Sequence, residues 1–439
     1  MKIGTARVDI TPPLGCLMDG FEARTSGATG IHDPLHVRVL VGEGDDGTLV
    51  AMVVAELLQI DPGVQALAAE QIRQSTGISR ERLQLIGTHT HSGPVAAPGS
   101  DVERMIASRI AGAVAVACAA RQEASIAVGV GTVSGIGANR RPGGGPVDDR
   151  VTVVRFDNVA GLPIATLVNY GCHPTTLGPN NTLYSADYPG VLCRELEASI
   201  GGLAVFTTGP QGDVNPGGYS PEGSMVGVVV PWRTFESAER YGQALAATVH
   251  AVHAALRPQP ARRVWAASEV IELTRKRLPE PAAARHAADL ARTAANAVQA
   301  ADLSTDATYH ALVAAAYAEL VAGQAAAEDR DRPVEVRLSS LGFGPFTHVG
   351  VPGEPFVALG QRIRQELGGE TTCIAALCDG SIGYIPTAEA FEQGGYEPNA
   401  SVLAAGQGER LADALISLVR GAGRTERGGA RQITSGGAA

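Results

Sequence analysis

The chain has 439 residues, a formal net charge of −10 and a pI near 5.5, with no clustered Lys/Arg run. That acidic balance argues against a nucleic-acid or anionic-membrane surface and favours a small-molecule partner. Apolar residues make up 45%, charged residues 18% and aromatics 4%, with 54 glycines, the composition of a soluble globular protein rather than a disordered one. No run of 18 consecutive apolar residues offers a membrane-spanning helix, and the opening MKIGTARVDITPPLG lacks the charged and apolar regions of a secretory signal, so the expected location is cytoplasmic.

In chain order, β-branched runs bounded by Gly, Pro or Asp predict strands over 35–41, 48–55, 83–87, 151–156, 164–169 and 203–207. Apolar residues at helical spacing predict helices over 64–75, 101–121 and 234–256, the last opening near Thr234 and stopping before Pro258. The mixture predicts an α/β fold, a layered mixed β-sheet with flanking helices. From about 281 to 330 the chain is Ala-rich with no strand signal, which predicts an inserted helical hairpin; a lid, a dimer contact and a solvated hairpin all remain open for it. Strands resume at 333–341 and 371–377. The expected organisation is one catalytic domain over 1–420 and a Gly-rich, disordered tail over 421–439. Six cysteines show no CxxC spacing and sit in apolar contexts, so free thiols are expected rather than disulfides or a thiolate metal site.

The stretch GTHTHSGP (87–94) places His89 and His91 just past the carboxyl end of the strand over 83–87, where open α/β sheets collect ligand sites. The two-residue period of a strand would aim both side chains to one side, about 7 Å apart along the chain. A plain turn with both imidazoles bonded to backbone is the bland alternative. Three further loops follow apolar runs and are framed by Gly or Pro: they hold His173 in NYGCHPTTL, Glu354 in VGVPGEPF and Tyr384 in LCDGSIGYIP. Singly, Glu354 also suits a helix cap and Tyr384 a core aromatic. Together they make an N₂O₂ set, and two imidazoles with a carboxylate are the familiar ligands of catalytic zinc.

Taken in order, GTARVDITPP, MDGF with GIHDPLHVRVLV, THTHSGP, the Asn-Arg of GANRRP, CHPTTL with SADYPG, GPQGDVNP, VPGEPF, and GYIP with GGYEPNAS resemble the catalytic domain of the neutral (non-lysosomal, alkaline) ceramidases. The similarity covers most of 3–262 and 333–402 and is nearest to short bacterial homologues of these zinc-dependent amide hydrolases. It implies a ceramidase-like α/β domain with Zn²⁺ held by His89, His173, Glu354 and Tyr384. It further implies that His91, Arg140, Tyr396 and Gly20 line the substrate carbonyl. For Arg140, a surface position beside Arg141 is the plainer alternative.

Two departures temper the resemblance. Where the family carries a serine proposed to act in catalysis, GPQGDVNP has Asn215, leaving Asn215 a donor or loop former and Asp213 as suited to cap the loop as to orient a ligand. The family also continues into a carboxy-terminal β-sandwich that this chain is expected to lack. The expected function is therefore zinc-dependent hydrolysis of an amide bond in a soluble small N-acyl molecule by metal-activated water. Esterase or lactonase activity, phosphoester hydrolysis with a second metal, and a non-catalytic metal-binding role are the alternatives. The expected partner is a small amide or ester, with no nucleic acid and no stable membrane association; a homo-oligomer stays open.

Overall fold

The computed structural model describes residues 1–301 and 305–428. Its main sheet contains β1 (Lys2–Asp9), β2 (His36–Glu43), β3 (Leu49–Ala55), β4 (Leu83–Gly87), β5 (Gln122–Thr132), β6 (Arg150–Asn158), β7 (Pro163–Tyr170) and β8 (Leu203–Thr208), in the order β8-β7-β6-β5-β1-β2-β3-β4. The pairs β3/β4 and β7/β8 are parallel; the other pairs along this order are antiparallel. A second sheet is formed by β9 (Val264–Leu273), β10 (Val334–Phe343), β11 (Phe346–Gly350) and β12 (Thr372–Ala375), with β11/β12 parallel.

Strand periodicity builds the layers. Val39, Val41, Val53 and Ala55 face a core shared with helices Pro62–Thr76 and Asp101–Ala119, while Leu40, Met52 and Val54 face Leu341, Phe343 and Phe346 of the second sheet. Helices Asp187–Ser199 and Phe235–Ala255 cover the β6–β8 end through Leu192 and Leu245. Helices Val357–Glu366 and Gln407–Gly428 cover the outer face of the second sheet through Ile363 and Leu411. The result is a helix–sheet–sheet–helix stack, the layered mixed α/β architecture expected.

The predicted strands and helices occur within a few residues of their expected bounds. Strand β5 was not legible because Gly129 and Gly131 interrupt its β-branched pattern. Both sit in close packing: a Cβ on Gly129 would lie 2.8 Å from Leu256 Cδ2, and one on Gly131 2.7 Å from Thr248 Cγ2. The hairpin consists of Pro281–Ala300 and Thr305–Ala326, zipped by Arg285 and Arg292 against Glu319 over an all-alanine seam of Ala284, Ala288, Ala322 and Ala325. It is not merely solvated, since Tyr317 donates to Glu222 at 2.8 Å and Gln324 donates to the Ala400 carbonyl at 2.9 Å. The last helix continues to Gly428, into the stretch read as tail; 429–439 lie outside the described residues. All six cysteines are free thiols, four of them buried. Among the described residues, no helix is long and apolar enough to cross a membrane.

Two features position the site. The main sheet curls until its end strands approach, Thr208 Oγ1 donating to the Thr88 carbonyl at 2.6 Å. The carboxyl ends of parallel strands from both sheets then open at one place: β4 leads to His89, β7 to His173, β11 to Glu354 and β12 to Tyr384.

Candidate metal centre and active site

His89, His91 and His173 form a buried cluster whose nearest ligand atoms all lie within 4.8 Å of one another. Each ring is oriented by a backbone carbonyl that can only accept. His89 Nδ1 donates to Leu58 O at 3.0 Å, His91 Nδ1 to Gly20 O at 2.8 Å and His173 Nδ1 to Val214 O at 2.8 Å. With the Nδ1 protons committed, a neutral ring presents a lone pair at Nε2. The Nε2 atoms of His89 and His91 are 3.4 Å apart, and Glu354 Oε2 lies 3.2 Å from His89 Nε2 and 3.0 Å from His173 Nε2.

Protons do not resolve this convergence of acceptors. Burial holds His91 well below its ordinary pKa, reinforced by the neighbouring histidines, and burial followed by the Arg140 charge lowers His173 to about 4. Burial alone would raise the Glu354 carboxyl, but the facing imidazoles hold it well below the usual carboxylate range. Lone pairs from buried imidazoles and a buried carboxylate thus face one another, an arrangement that a cation relieves. Its spacing also fits zinc: ligands about 2.05 Å from a tetrahedral centre lie about 3.3 Å apart. Outer hydrogen bonds from each Nδ1 to a carbonyl are the usual means of fixing metal-ligating imidazoles.

The proximity of the histidine pair does not come from strand alternation. His89 has φ +72°, a left-handed conformation uncommon outside glycine, just beyond the end of β4. This turn brings the two rings to a centroid separation of 4.8 Å instead of spreading them along an extended strand. Backbone strain of this kind concentrates at functional sites. Opposite, Glu354–Pro355 pairs in parallel with Tyr384–Ile385, with Glu354 directly beside Tyr384, and the Tyr384 ring is 6.4 Å from that of His173. Burial raises the Tyr384 phenol well above its ordinary pKa, so it ligates as phenolate only if a cation takes the proton's place.

Gly20, His91, Arg140, Tyr384 and Tyr396 line one cavity of about 290 Å³ beside this cluster. Arg140 is buried rather than on the surface: Nε donates to Glu397 Oε1 at 2.8 Å, Nη2 to the Gly212 carbonyl at 2.9 Å, and the guanidinium lies 5.4 Å from the Tyr384 ring centre and 5.9 Å from that of Tyr396. Gly20 has φ +101°, and a Cβ there would meet His91 Cγ and Nδ1 at 2.6 Å. Asn215 is buried but does not line the cavity; its amide donates to the Tyr219 carbonyl at 2.8 Å, which steadies a residue that does. Of its two expected roles Asp213 takes the capping one, receiving Val357 N at 2.9 Å and Asn139 Nδ2 at 2.8 Å.

Sequence reasoning missed Phe21, Tyr219 and Glu397. The first two line the cavity, and Glu397 anchors both Arg140 and Arg141 at 2.8 Å. Phe21 and Glu397 lie inside the motifs MDGF and GGYEPNAS, which supplied a signal. Tyr219 had none.

Comparison with known proteins agrees with this architecture. Residues 1–217 match the model of the neutral/alkaline non-lysosomal ceramidase N-terminal domain. Neutral ceramidase A of Dictyostelium discoideum is 26% identical over 259 residues, 50% of this chain and 36% of that protein. A neutral ceramidase of Mycobacterium tuberculosis is 24% identical over 280 residues, 55% of this chain and 44% of that protein. The chain thus spans less than half of either relative. Two solved structures share the fold across the whole chain: a ceramidase complexed with C2 at TM-score 0.74, and the neutral ceramidase of Pseudomonas aeruginosa at 0.73. Each is 17% identical, and the chain covers 77% and 76% of them respectively. Over residues 1–217 the chain is thus similar to the neutral/alkaline non-lysosomal ceramidase N-terminal domain, and its whole length shares the fold of solved ceramidases.

Proposed function

We propose that the protein is a zinc-dependent hydrolase of an N-acyl amide, with His89, His173, Glu354 and Tyr384 as the metal ligands. The observation that carries the reading is the convergence of imidazole and carboxylate lone pairs whose outer protons are already committed to backbone carbonyls. When bound, zinc supplies Lewis-acid polarisation of the scissile carbonyl and of the attacking water. The relatives named above are ceramidases, and ceramide is itself an N-acyl amide. A cavity of about 290 Å³ sits at the small end of ligand sites, which supports a compact, soluble substrate.

The chain's own residues then divide the work. His91, neutral with its Nδ1 proton given to Gly20 O, has an acceptor at Nε2 and serves beside the substrate carbonyl as a general base. His91 Nε2 takes a proton from the attacking water and returns it to the leaving nitrogen, so that hydroxyl adds to carbon, hydrogen to nitrogen, and the C–N bond breaks. The Tyr396 hydroxyl, kept protonated by burial, and the Arg140 guanidinium are the donors beside the developing oxyanion. Each preorganised donor is worth about 3 kcal/mol in an oxyanion site. Asn215 supports the Tyr219 wall.

The test is hydrolysis of matched N-acyl amide and ester substrates by the purified chain. Amide turnover that disappears with chelator and returns with zinc is expected. Ester-only turnover would replace the amide assignment, and a metal-free active protein would remove the foundation.

A further inference from the structure

Behind the cavity wall lies a buried guanidinium, that of Arg233, with no direct ion pair among the described residues; the Asp187 carboxylate acts on it only at longer range. Arg233 is 5% exposed. Its Nε donates to the Thr175 carbonyl at 3.0 Å, Nη2 to the Leu177 carbonyl at 2.8 Å and Nη1 to Ser224 Oγ at 3.1 Å. Those contacts reach the loop after His173 and the short helix Pro221–Met225. Its carbon centre also sits 4.1 Å from the Tyr219 ring centre and 5.0 Å from that of Phe21, two rings that line the cavity. Arg24, 8% exposed, braces Phe21 at 5.3 Å and donates to the carbonyls of Asp19 and His91.

Burying a cation without a direct ion pair is costly, and a planar guanidinium recovers that cost through several fixed donors and ring faces used at once. Arg233 uses three donor contacts and two rings. A lysine would keep the charge but could not hold that loop, that helix and two rings in one geometry. Phe21, Tyr219, Pro221 and Met225 give the cavity an apolar portion beside its polar, histidine-lined portion.

Resting on the N-acyl reading above, we propose that Arg233 is a positioning residue that sets the separation of the Phe21 and Tyr219 rings and so makes a slot for the apolar chain of the acyl group. The slot discriminates substrates by chain length, independently of the chemistry at the histidines.

The experiment measures binding of the carboxylate products butanoate and octanoate to the zinc-supplemented full chain by calorimetry. Each methylene removed from water is worth about fourfold in affinity, so a slot that buries two or three of octanoate's four additional methylenes is expected to make the wild-type protein favour octanoate by about 16-fold to 64-fold. Arg233→Lys and Tyr219→Leu should each cut that preference at least threefold while butanoate affinity stays within about twofold. An equal loss for both ligands would mark a general structural effect and overturn the proposal. So would a wild-type preference near one, or a preference unchanged in Arg233→Lys. Should Arg233→Lys fail to fold, Arg233→Gln, which retains planar donors, takes its place under the same criteria. No turnover enters this measurement, so failure of the amide reading appears only in the hydrolysis assay.

Discussion

Gly20→Ala should disable the site without removing its metal. Gly20 occupies φ +101°, its carbonyl receives the His91 Nδ1 proton at 2.8 Å, and the position of an added Cβ is 2.6 Å from His91 Cγ and Nδ1. Carbon atoms prefer about 3.5–4.0 Å, so ring or backbone must yield by about 1 Å. Either movement breaks the hydrogen bond that fixes the His91 tautomer and direction. A displacement of about 1 Å at a catalytic group costs on the order of 10² in rate. The left-handed backbone adds strain of about 1–2 kcal/mol, a Tm decrease of a few degrees in a protein this large. The assay is kcat/KM on an N-acyl amide beside zinc content and thermal melting. We expect kcat/KM to fall about 10²-fold with zinc near the native amount. Activity within threefold of wild type would refute the claim that Gly20 holds His91 in place.

His89→Ala, His173→Ala and Glu354→Ala should each lose stoichiometric zinc while remaining folded, measured by metal analysis and circular dichroism; Tyr384→Phe should keep metal with altered rate, because a buried phenol ligates only as phenolate. Turnover of short or polar N-acyl substrates should exceed that of long-chain ceramide in bilayers, and the reverse preference would contradict the compact-cavity argument. Acid should destabilise the fold through His348, whose pKa burial lowers to about 3. The unfolded chain binds that proton first, near pH 6.5, so the contribution is complete above about 6.5 and is lost progressively as pH falls toward about 3, amounting to about 2 kcal/mol at pH 5. His348→Gln should flatten the urea midpoint between pH 7 and pH 5; an unchanged slope would show that another group governs it.

Much of the site was legible because its residues follow parallel strands in short, Gly- and Pro-framed motifs. His89, His173, Glu354 and Tyr384 converge since each follows a strand whose apolar pattern could be read locally. What escaped depended on long-range partners. Glu397 meets Arg140 across 257 positions, and the rings flanking Arg233 come from opposite ends of the main sheet's sequence. The spacing of His89 and His91 invited a strand argument, but the left-handed turn at His89 decides their approach. Which ring nitrogen of His91 keeps its proton was not legible for a related reason: the Gly20 carbonyl that fixes it is supplied 71 positions away.

The central claim is the division of labour within the pair His89 and His91, and zinc content measured beside amide kinetics on His89→Ala and His91→Ala tests it most directly. The account predicts that His89→Ala loses both metal and turnover, whereas His91→Ala retains near-native zinc while kcat/KM falls by about 10²–10³. Equal zinc loss in the two variants would make the pair a two-histidine clamp and contradict the assignment of His91 as the base.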